Sequence, residues 1–375
     1  MASAAQTRRA RQAVPPLPVQ PLLVTAAALV TFSAVMVGSA AVAQSAPYLE
    51  THLVYITLAL VAFGGAFAVP PMWWHRLYLL GWLGALAIAV AVLVPGLGHE
   101  ANGATRWLKL GGFTIQAAEV AKGGLCVYLA GYLARHAGKL GDDAGVLFLP
   151  LAMVAIICGL LVLEPDLGSA VVLMGATVGL LFVAGAKLRY FFLFAVLGAG
   201  LLALLIWIEP YRMQRFVAFL DPWAVQYGSG YQLTQALIAF GRGELFGLGL
   251  GEGVQKLFYL PEAHTDFIFA VIAEELGSIG AIVVAGTLTF LVATLLRISR
   301  LSLEAGRLFA GYAAYFCALL IAIQFLVSLG VNTGVLPTKG LTLPFVSYGG
   351  NSLIVFCALL GLVLRCACEP ERKRG

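Results

Sequence analysis

The sequence predicts an all-α polytopic membrane protein with about ten transmembrane helices and a long extracytoplasmic loop between spans 7 and 8. Three observations carry that prediction. Of 375 residues, 61% are hydrophobic and only 11% charged, against about 25% charged in soluble domains. The mean hydropathy is +0.94. Apolar runs such as 77–94 and 281–296 approach the ~20 residues that carry a helix across a bilayer.

Residues 1–20 are polar, carry Arg8, Arg9 and Arg11, and lead directly into the apolar run 21–43. They read as a cytoplasmic tail and not as a cleavable signal peptide. Spans 2 and 3 are expected at 53–69 and 77–95, with Arg76 between them. Span 4, 115–134, carries Glu119 and Lys122. Spans 5 and 6, 145–162 and 168–186, flank the turn Glu164-Pro165-Asp166. Span 7, 190–208, precedes the loop at 209–265, and spans 8 to 10 follow at 266–296, 308–329 and 350–365. Residues 21–366 thus form one transmembrane domain, and 367–375 a cytoplasmic C-terminal tail.

Orientation follows from the basic residues. With both termini in the cytoplasm, fifteen of the 23 Lys and Arg fall in inner segments. Seven fall outside: Arg106, Lys109, Arg212, Arg215, Arg242, Lys256 and Lys339. That excess favours cytoplasmic termini. Thirteen of the 18 acids are outer or membrane-embedded, which points to a task on the outer side. The net charge of +5 reflects topology, so nucleic acid is not an expected partner and membrane lipid is. The six cysteines sit in apolar runs or the C-terminal tail, where no disulfide framework or zinc knuckle is implied. The five histidines form no metal-ligand spacing.

The loop 209–265 is long in a chain whose other connections are short, and such loops are functional or disordered. Trp223, Tyr227, Tyr231, Phe258 and Tyr259 lie in it among amphipathic stretches, so it reads as folded, with short interfacial helices. Its glycine run at 247–253 lacks the strand–helix unit that would make it a nucleotide loop.

Ionisable residues near or within spans need a reason. One in a span costs roughly 2.5–3.5 kcal/mol on insertion scales. Glu119 and Lys122 are three apart and can pair on one helix face, either as a lock between helices or as a contact to substrate. Glu164-Pro165-Asp166 is either helix-start punctuation or part of a polar site. Asp266 stands where the polar loop gives way to the apolar run 268–273. It reads as a cap, or as a general base whose pKa burial raises toward neutrality. Glu274, eight residues on, is expected on much the same helix face about 12 Å deeper, lining a shared polar cavity. The outer cations Arg106, Arg212, Arg215, Lys256 and Lys339 either pair with these acids or bind an anionic ligand such as phosphate.

Several motifs carry a family resemblance from about Asn102 to Arg365. They are Arg106-Trp107, Glu164-Pro165-Asp166-Leu167-Gly168, Tyr211-Arg212-Met213-Gln214-Arg215-Phe216, Asp221-Pro222-Trp223, Gly228-Ser229-Gly230-Tyr231-Gln232, residues 260–269 with Ala273-Glu274-Glu275-Leu276-Gly277, and residues 337–352. In this order the chain resembles the shape, elongation, division and sporulation (SEDS) proteins, membrane enzymes that polymerise the lipid-linked precursor of peptidoglycan. Lys256 in 255–264 and Lys339 in 337–344 make it similar to the cell-division branch more than to the elongation branch. Two positions depart from the family pattern: Gln116-Ala117-Ala118-Glu119 replaces Gln-Pro-Ser-Glu, and Asn351 replaces a serine.

The resemblance implies that Asp266 is the catalytic aspartate. It implies that Arg106, Arg212, Arg215, Lys256, Lys339, Glu119, Lys122 and Ser347 are candidates to bind substrate or its pyrophosphate. The substrate is lipid II, a polyprenyl-pyrophosphate-linked disaccharide peptide, and a divalent cation (magnesium or manganese) is compatible with that pyrophosphate. A class B penicillin-binding transpeptidase and other division proteins are the implied partners, at the septum of the bacterial cytoplasmic membrane. Two other readings stay open: a flippase for the same precursor, with Glu119 and Lys122 lining its route, and a non-catalytic division scaffold.

Overall fold

The computed structural model describes residues 16–42, 47–101, 104–111, 113–141, 143–338 and 340–368. Each of the ten apolar runs is a helix. The elements in order are α1 (Val19–Ala40), α2 (Tyr48–Ala68), α3 (Pro71–Arg76), α4 (Tyr78–Leu93), β1 (Gly98–Ala101), β2 (Ala104–Leu110), β3 (Phe113–Gln116), α5 (Ala117–Arg135), α6 (Ala144–Leu163), α7 (Leu167–Val183), α8 (Leu188–Ile208), α9 (Pro210–Leu220), α10 (Tyr231–Gly243), α11 (Ile268–Glu304), α12 (Leu308–Asn332) and α13 (Gly350–Cys368). Seven of them (α1, α2, α6, α8, α11, α12 and α13) are long and apolar enough to cross a membrane. Helices α4 and α7 are equally apolar but shorter, and α5 carries Glu119, Lys122 and Arg135.

Helices α5 and α12 form the centre, most of their residues buried. Around them α4 packs on α5, α2 on α13, and α11 on α12. Small residues permit the closest approaches, since two apolar helices in lipid associate by packing and not by expelling water. A Cβ on Gly81 of α4 would lie 2.5 Å from the Gly124 carbonyl of α5, and one on Gly124 would lie 2.3 Å from the Gly81 carbonyl. Neither position takes a side chain without separating the helices. Helix α8 is the opposite case: none of its residues is buried, and it is apolar on every face, as a lipid-facing helix is.

Two features differ from the sequence expectation. The chain is not purely helical, because Gly98–Ala101, Ala104–Leu110 and Phe113–Gln116 form a three-stranded antiparallel sheet in the order β1-β2-β3, with Trp107 opposite both His99 and Gln116. Strands of four to seven residues are too short to leave a clear alternating pattern. The other difference is in α11, which is interrupted at Gly277 (φ 69°, ψ −176°). The glycine run lies across that break. Leu248 and Gly249 N–H donate to the Glu274 and Glu275 carbonyls, and Ser278 and Ile279 N–H donate to the Glu244 and Leu245 carbonyls. Those are the backbone groups a broken helix leaves unpaired, so the run serves as a splint. The long loop is folded as expected and contains the amphipathic helices α9 and α10.

Candidate active site

Residues distant in sequence converge on one small, partly open cleft with a cavity volume of about 50 Å³. Its walls include Arg106 from β2, Asp166 at the start of α7, Arg212 and Arg215 from α9, and Thr338 and Gly340 from the loop after α12. Asp266 stands directly behind that last wall. Its Oδ2 is 3.3 Å from the point a Cβ on Gly340 would occupy.

Asp266 is not a cap. Helix α11 begins at Ile268 with Phe267 in the capping position, and no side chain closes it from there. The carboxylate has no cation within 4 Å among the described residues. Burial pushes its pKa up to about 7, Glu262 and Asp166 push the same way, and Arg215 and Arg106 pull it back. A carboxylate near neutrality exchanges protons readily, which suits a general base.

The three arginines are held without being neutralised. Arg106 donates from Nε to the Glu164 carbonyl at 3.2 Å and from Nη2 to the Pro165 carbonyl. Arg212 donates to the Leu205 carbonyl at 3.0 Å, and the Arg215 guanidinium lies 5.6 Å from the Tyr211 ring centroid. None of the three is ion-paired within 4 Å to a described carboxylate. Their charge therefore remains available to an anion in the cleft.

The acids of the α6–α7 turn divide. Asp166 caps α7, accepting from the Ser169 N–H at 3.2 Å and the Ser169 hydroxyl at 2.8 Å, and it also lines the cleft. Glu164 is buried, and its carboxylate oxygens meet no hydrogen-bond partner among the described residues. Burial and then Asp166 raise its pKa to about 8, against the pull of Arg106.

Other sequence candidates lie elsewhere. Lys122 Nζ bonds Glu119 Oε1 at 2.7 Å and Gln324 Oε1 at 2.8 Å, and Gln324 Nε2 donates to the Thr342 carbonyl at 2.8 Å. This chain joins α5 and α12 to the loop before α13, the arrangement of an internal lock. Lys256 does not line the cleft. It is buried, with Nζ 2.5 Å from Glu275 Oε1 and 2.8 Å from the Ser39 hydroxyl. Ser347 supports the site from behind, donating to the Thr265 carbonyl at 2.6 Å. Lys339 lies outside the described residues.

Glu274 does not share a cavity wall with Asp266. Its carboxylate accepts from the Val254 and Gln255 N–H groups and pairs with Arg242 at 3.2 Å. The shared-face expectation assumed one helix through both residues, whereas Asp266 precedes the helix. Among the described residues no group of three or more His, Cys, Asp or Glu side chains is arranged to hold a metal ion. Of the two departures from the family pattern, Asn351 donates to the Thr114 carbonyl at 2.8 Å, tying α13 to β3. At the other, α5 starts from Gln116 without a side-chain cap.

Sequence reasoning missed Gly340, Asn332 and Ser39. Asn332 is fully buried at the end of α12, and a polar residue closing an apolar run is the one signal that could have marked it.

A family model described as cell cycle protein, covering FtsW, RodA and SpoVE, matches residues 19–372. A relative from Pseudomonas fluorescens named "Probable peptidoglycan glycosyltransferase FtsW" is 45% identical over 362 residues, covering 95% of this chain and 89% of its own length. A namesake from Coxiella burnetii is 48% identical over 328 residues, covering 86% and 87%. Among solved structures, a chain described under "structural coordination of polymerization and crosslinking by a peptidoglycan synthase complex" superposes with a TM-score of 0.78 at 30% identity, covering 92% of this chain and 96% of that one. The rod shape determining protein RodA of Thermus thermophilus gives 0.70 at 30% identity, covering 94% and 97%.

Proposed function

We propose that this chain, which belongs to the FtsW, RodA and SpoVE family of cell cycle proteins, is a peptidoglycan glycosyltransferase of cell division. It polymerises lipid II into β-1,4-linked glycan strands at the outer face of the cytoplasmic membrane. The observation that carries this reading is the carboxylate of Asp266, behind the Gly340 wall of a cleft lined by three arginines, with no ion pair to it or to them among the described residues. That combination matches the demands of the reaction: a base for an acceptor hydroxyl, and cations for a departing pyrophosphate.

In this mechanism the 4-hydroxyl oxygen of the acceptor N-acetylglucosamine attacks the anomeric carbon of the donor. The bond from that carbon to the pyrophosphate oxygen breaks with its electron pair, and the hydroxyl proton passes to Asp266. Arg106, Arg212 and Arg215 receive the charge that develops on the leaving group. Pyrophosphate leaves without protonation, so no general acid is needed. An α-linked donor giving a β bond implies inversion in a single displacement.

The reading places both termini in the cytoplasm and the enzyme at the septum, working beside a class B penicillin-binding transpeptidase and other division proteins. The polyprenyl tail lies between helices while its head group reaches the cleft. The flippase alternative lacks support from Glu119 and Lys122, which are engaged in a lock. The test is a glycan-chain assay with purified lipid II, wild type against Asp266→Ala, with and without a metal chelator. Loss of chains with retained precursor binding is the expected result. Wild-type chains from the variant would remove Asp266 from the mechanism.

A further inference from the structure

We propose that Asn332 is a positioning residue for Asp266: it caps α11 from the neighbouring helix and fixes the backbone that carries the carboxylate. The inference rests on the reading of Asp266 as the base. It begins from the missing cap. The first N–H groups of a helix lack full partners within it: Phe267 has no side-chain acceptor to offer, and its carbonyl takes the Ala270 and Val271 N–H at 3.0 and 3.3 Å, so the Ala270 N–H is shared. Asn332, the last residue of α12, reaches across to it. Its Oδ1 accepts from the Ala270 N–H at 3.1 Å, in the first turn of α11.

The other half of the same amide holds the reactive residue. Asn332 Nδ2 donates to the Asp266 carbonyl at 2.9 Å and to the Ser328 carbonyl at 2.8 Å. Reversing the amide would set a donor against the Ala270 N–H and an oxygen against two carbonyls, so the network admits one orientation. Start of helix and peptide of Asp266 are thereby fixed to each other through one side chain.

The residues just before Asp266 are gripped in the same way. Ser347 Oγ donates to the Thr265 carbonyl at 2.6 Å, and the Tyr348 N–H to the His264 carbonyl at 2.8 Å. Three consecutive carbonyls, of His264, Thr265 and Asp266, are bound by groups from α12 and the loop that follows it. None of these groups engages the Asp266 carboxylate. The arrangement fixes where the carboxylate stands and leaves its oxygens to the reaction. Placement matters because a base acts only within hydrogen-bond reach of its proton, and an error of about 1 Å costs roughly 100-fold in rate.

The test uses the full chain with purified lipid II, comparing wild type, Asp266→Asn, Asn332→Leu and Asn332→Asp. Asn332→Leu fills the site and removes every bond of the amide. It should lower kcat by roughly 10- to 100-fold while KM stays within about threefold. It should also move the acid limb of the rate–pH profile by about half a unit or more, because the carboxylate shifts relative to its charged neighbours. A purely structural role would lower thermal stability and leave kcat per folded enzyme and the limb unchanged. Asn332→Asp is nearly isosteric and keeps an acceptor for Ala270, so it tests the same loss of kcat if the leucine variant does not fold. Wild-type kcat in either folded variant overturns the proposal. So does unfolding of both, because the amide would then serve the fold itself. Asp266→Asn separates the two ideas: its activity would remove the base, whereas an inert Asp266→Asn beside an unimpaired Asn332→Leu would remove only the positioning role.

Discussion

Gly340, which lines the cleft, leaves room for Asp266: a Cβ there would stand 3.3 Å from the carboxylate Oδ2. Contact that close forces the neighbour to move by a few tenths of an ångström. Gly340→Ala introduces a methyl group at that point. We expect kcat/KM to fall about tenfold, with the thermal midpoint unchanged, because the methyl displaces the base and not the core. A glycan-chain assay and a melting curve on the same preparation check this, and undiminished kcat/KM would show that the carboxylate does not work through this opening.

Activity should fall as pH drops through about 7, where Asp266 takes up a proton. The working base is the ionised form, so each pH unit below that point costs about tenfold in rate. Groups facing it set the limb. Arg215→Gln removes an opposing cation and should move the limb up, whereas Glu262→Gln removes a like charge and should move it down. A rate–pH profile that ignores both substitutions would assign the limb to another group.

The same shift has a consequence for stability, with a definite sign. The ordinary Asp pKa of 3.8 is raised to about 7 in the folded chain, so the folded state holds a proton the unfolded state has lost. Stability therefore declines from about pH 4 to about pH 7 and is constant above. Asp266→Asn should stabilise the protein at pH 8 by on the order of 1–3 kcal/mol, reduced by what solvent reaches the carboxylate. Melting curves at pH 5 and pH 8 test this: the variant's advantage must shrink at the lower pH.

The helical frame was legible because a bilayer demands long apolar runs, and all ten runs returned as helices. Asp266 was legible as an acid at a polar-to-apolar boundary, and Arg106, Arg212 and Arg215 as cations on the side where cations are scarce. Lys256 satisfied the same logic, yet it is buried against Glu275 and Ser39. Charge sign and topology cannot tell a cation that faces solvent from one that turns inward to a carboxylate nineteen residues on. The three-stranded sheet and the break at Gly277 depend on backbone pairing between segments, which leaves no periodic signature in either one alone. Gly340 and Asn332 act through space on a residue far away in the chain.

Removing one member of the Lys256–Glu275 pair should damage the fold before it touches substrate. Both side chains are essentially inaccessible, and breaking a buried pair costs roughly 3–5 kcal/mol because the other charge is stranded. Lys256→Met should lower thermal stability sharply, and adding Glu275→Gln should restore part of it. In the double variant KM for lipid II should stay near the wild-type value. A large rise in KM there, with stability restored, would return Lys256 to the pyrophosphate clamp.

Gly277 is the residue on which the splint across α11 depends. Its φ of 69° with ψ of −176° is a region open essentially to glycine, costing other residues on the order of 1–3 kcal/mol. Space is a second obstacle: a Cβ would lie 2.3 Å from the Leu245 carbonyl oxygen and 2.4 Å from the Gly247 N. Gly277→Ala must therefore either straighten α11 or push the 244–249 segment away, and both routes break the bonds from Leu248, Gly249, Ser278 and Ile279. We expect a loss of about 3 kcal/mol or more, and new protease cleavage between residues 244 and 253. Glu274 and Glu275 would lose the loop N–H groups they bind, so Arg242 and Lys256 would be the next contacts to loosen. Melting temperature and limited proteolysis in detergent measure the two effects together. A variant that melts like the wild type and resists cleavage would mean that the break in α11 is not held by this glycine.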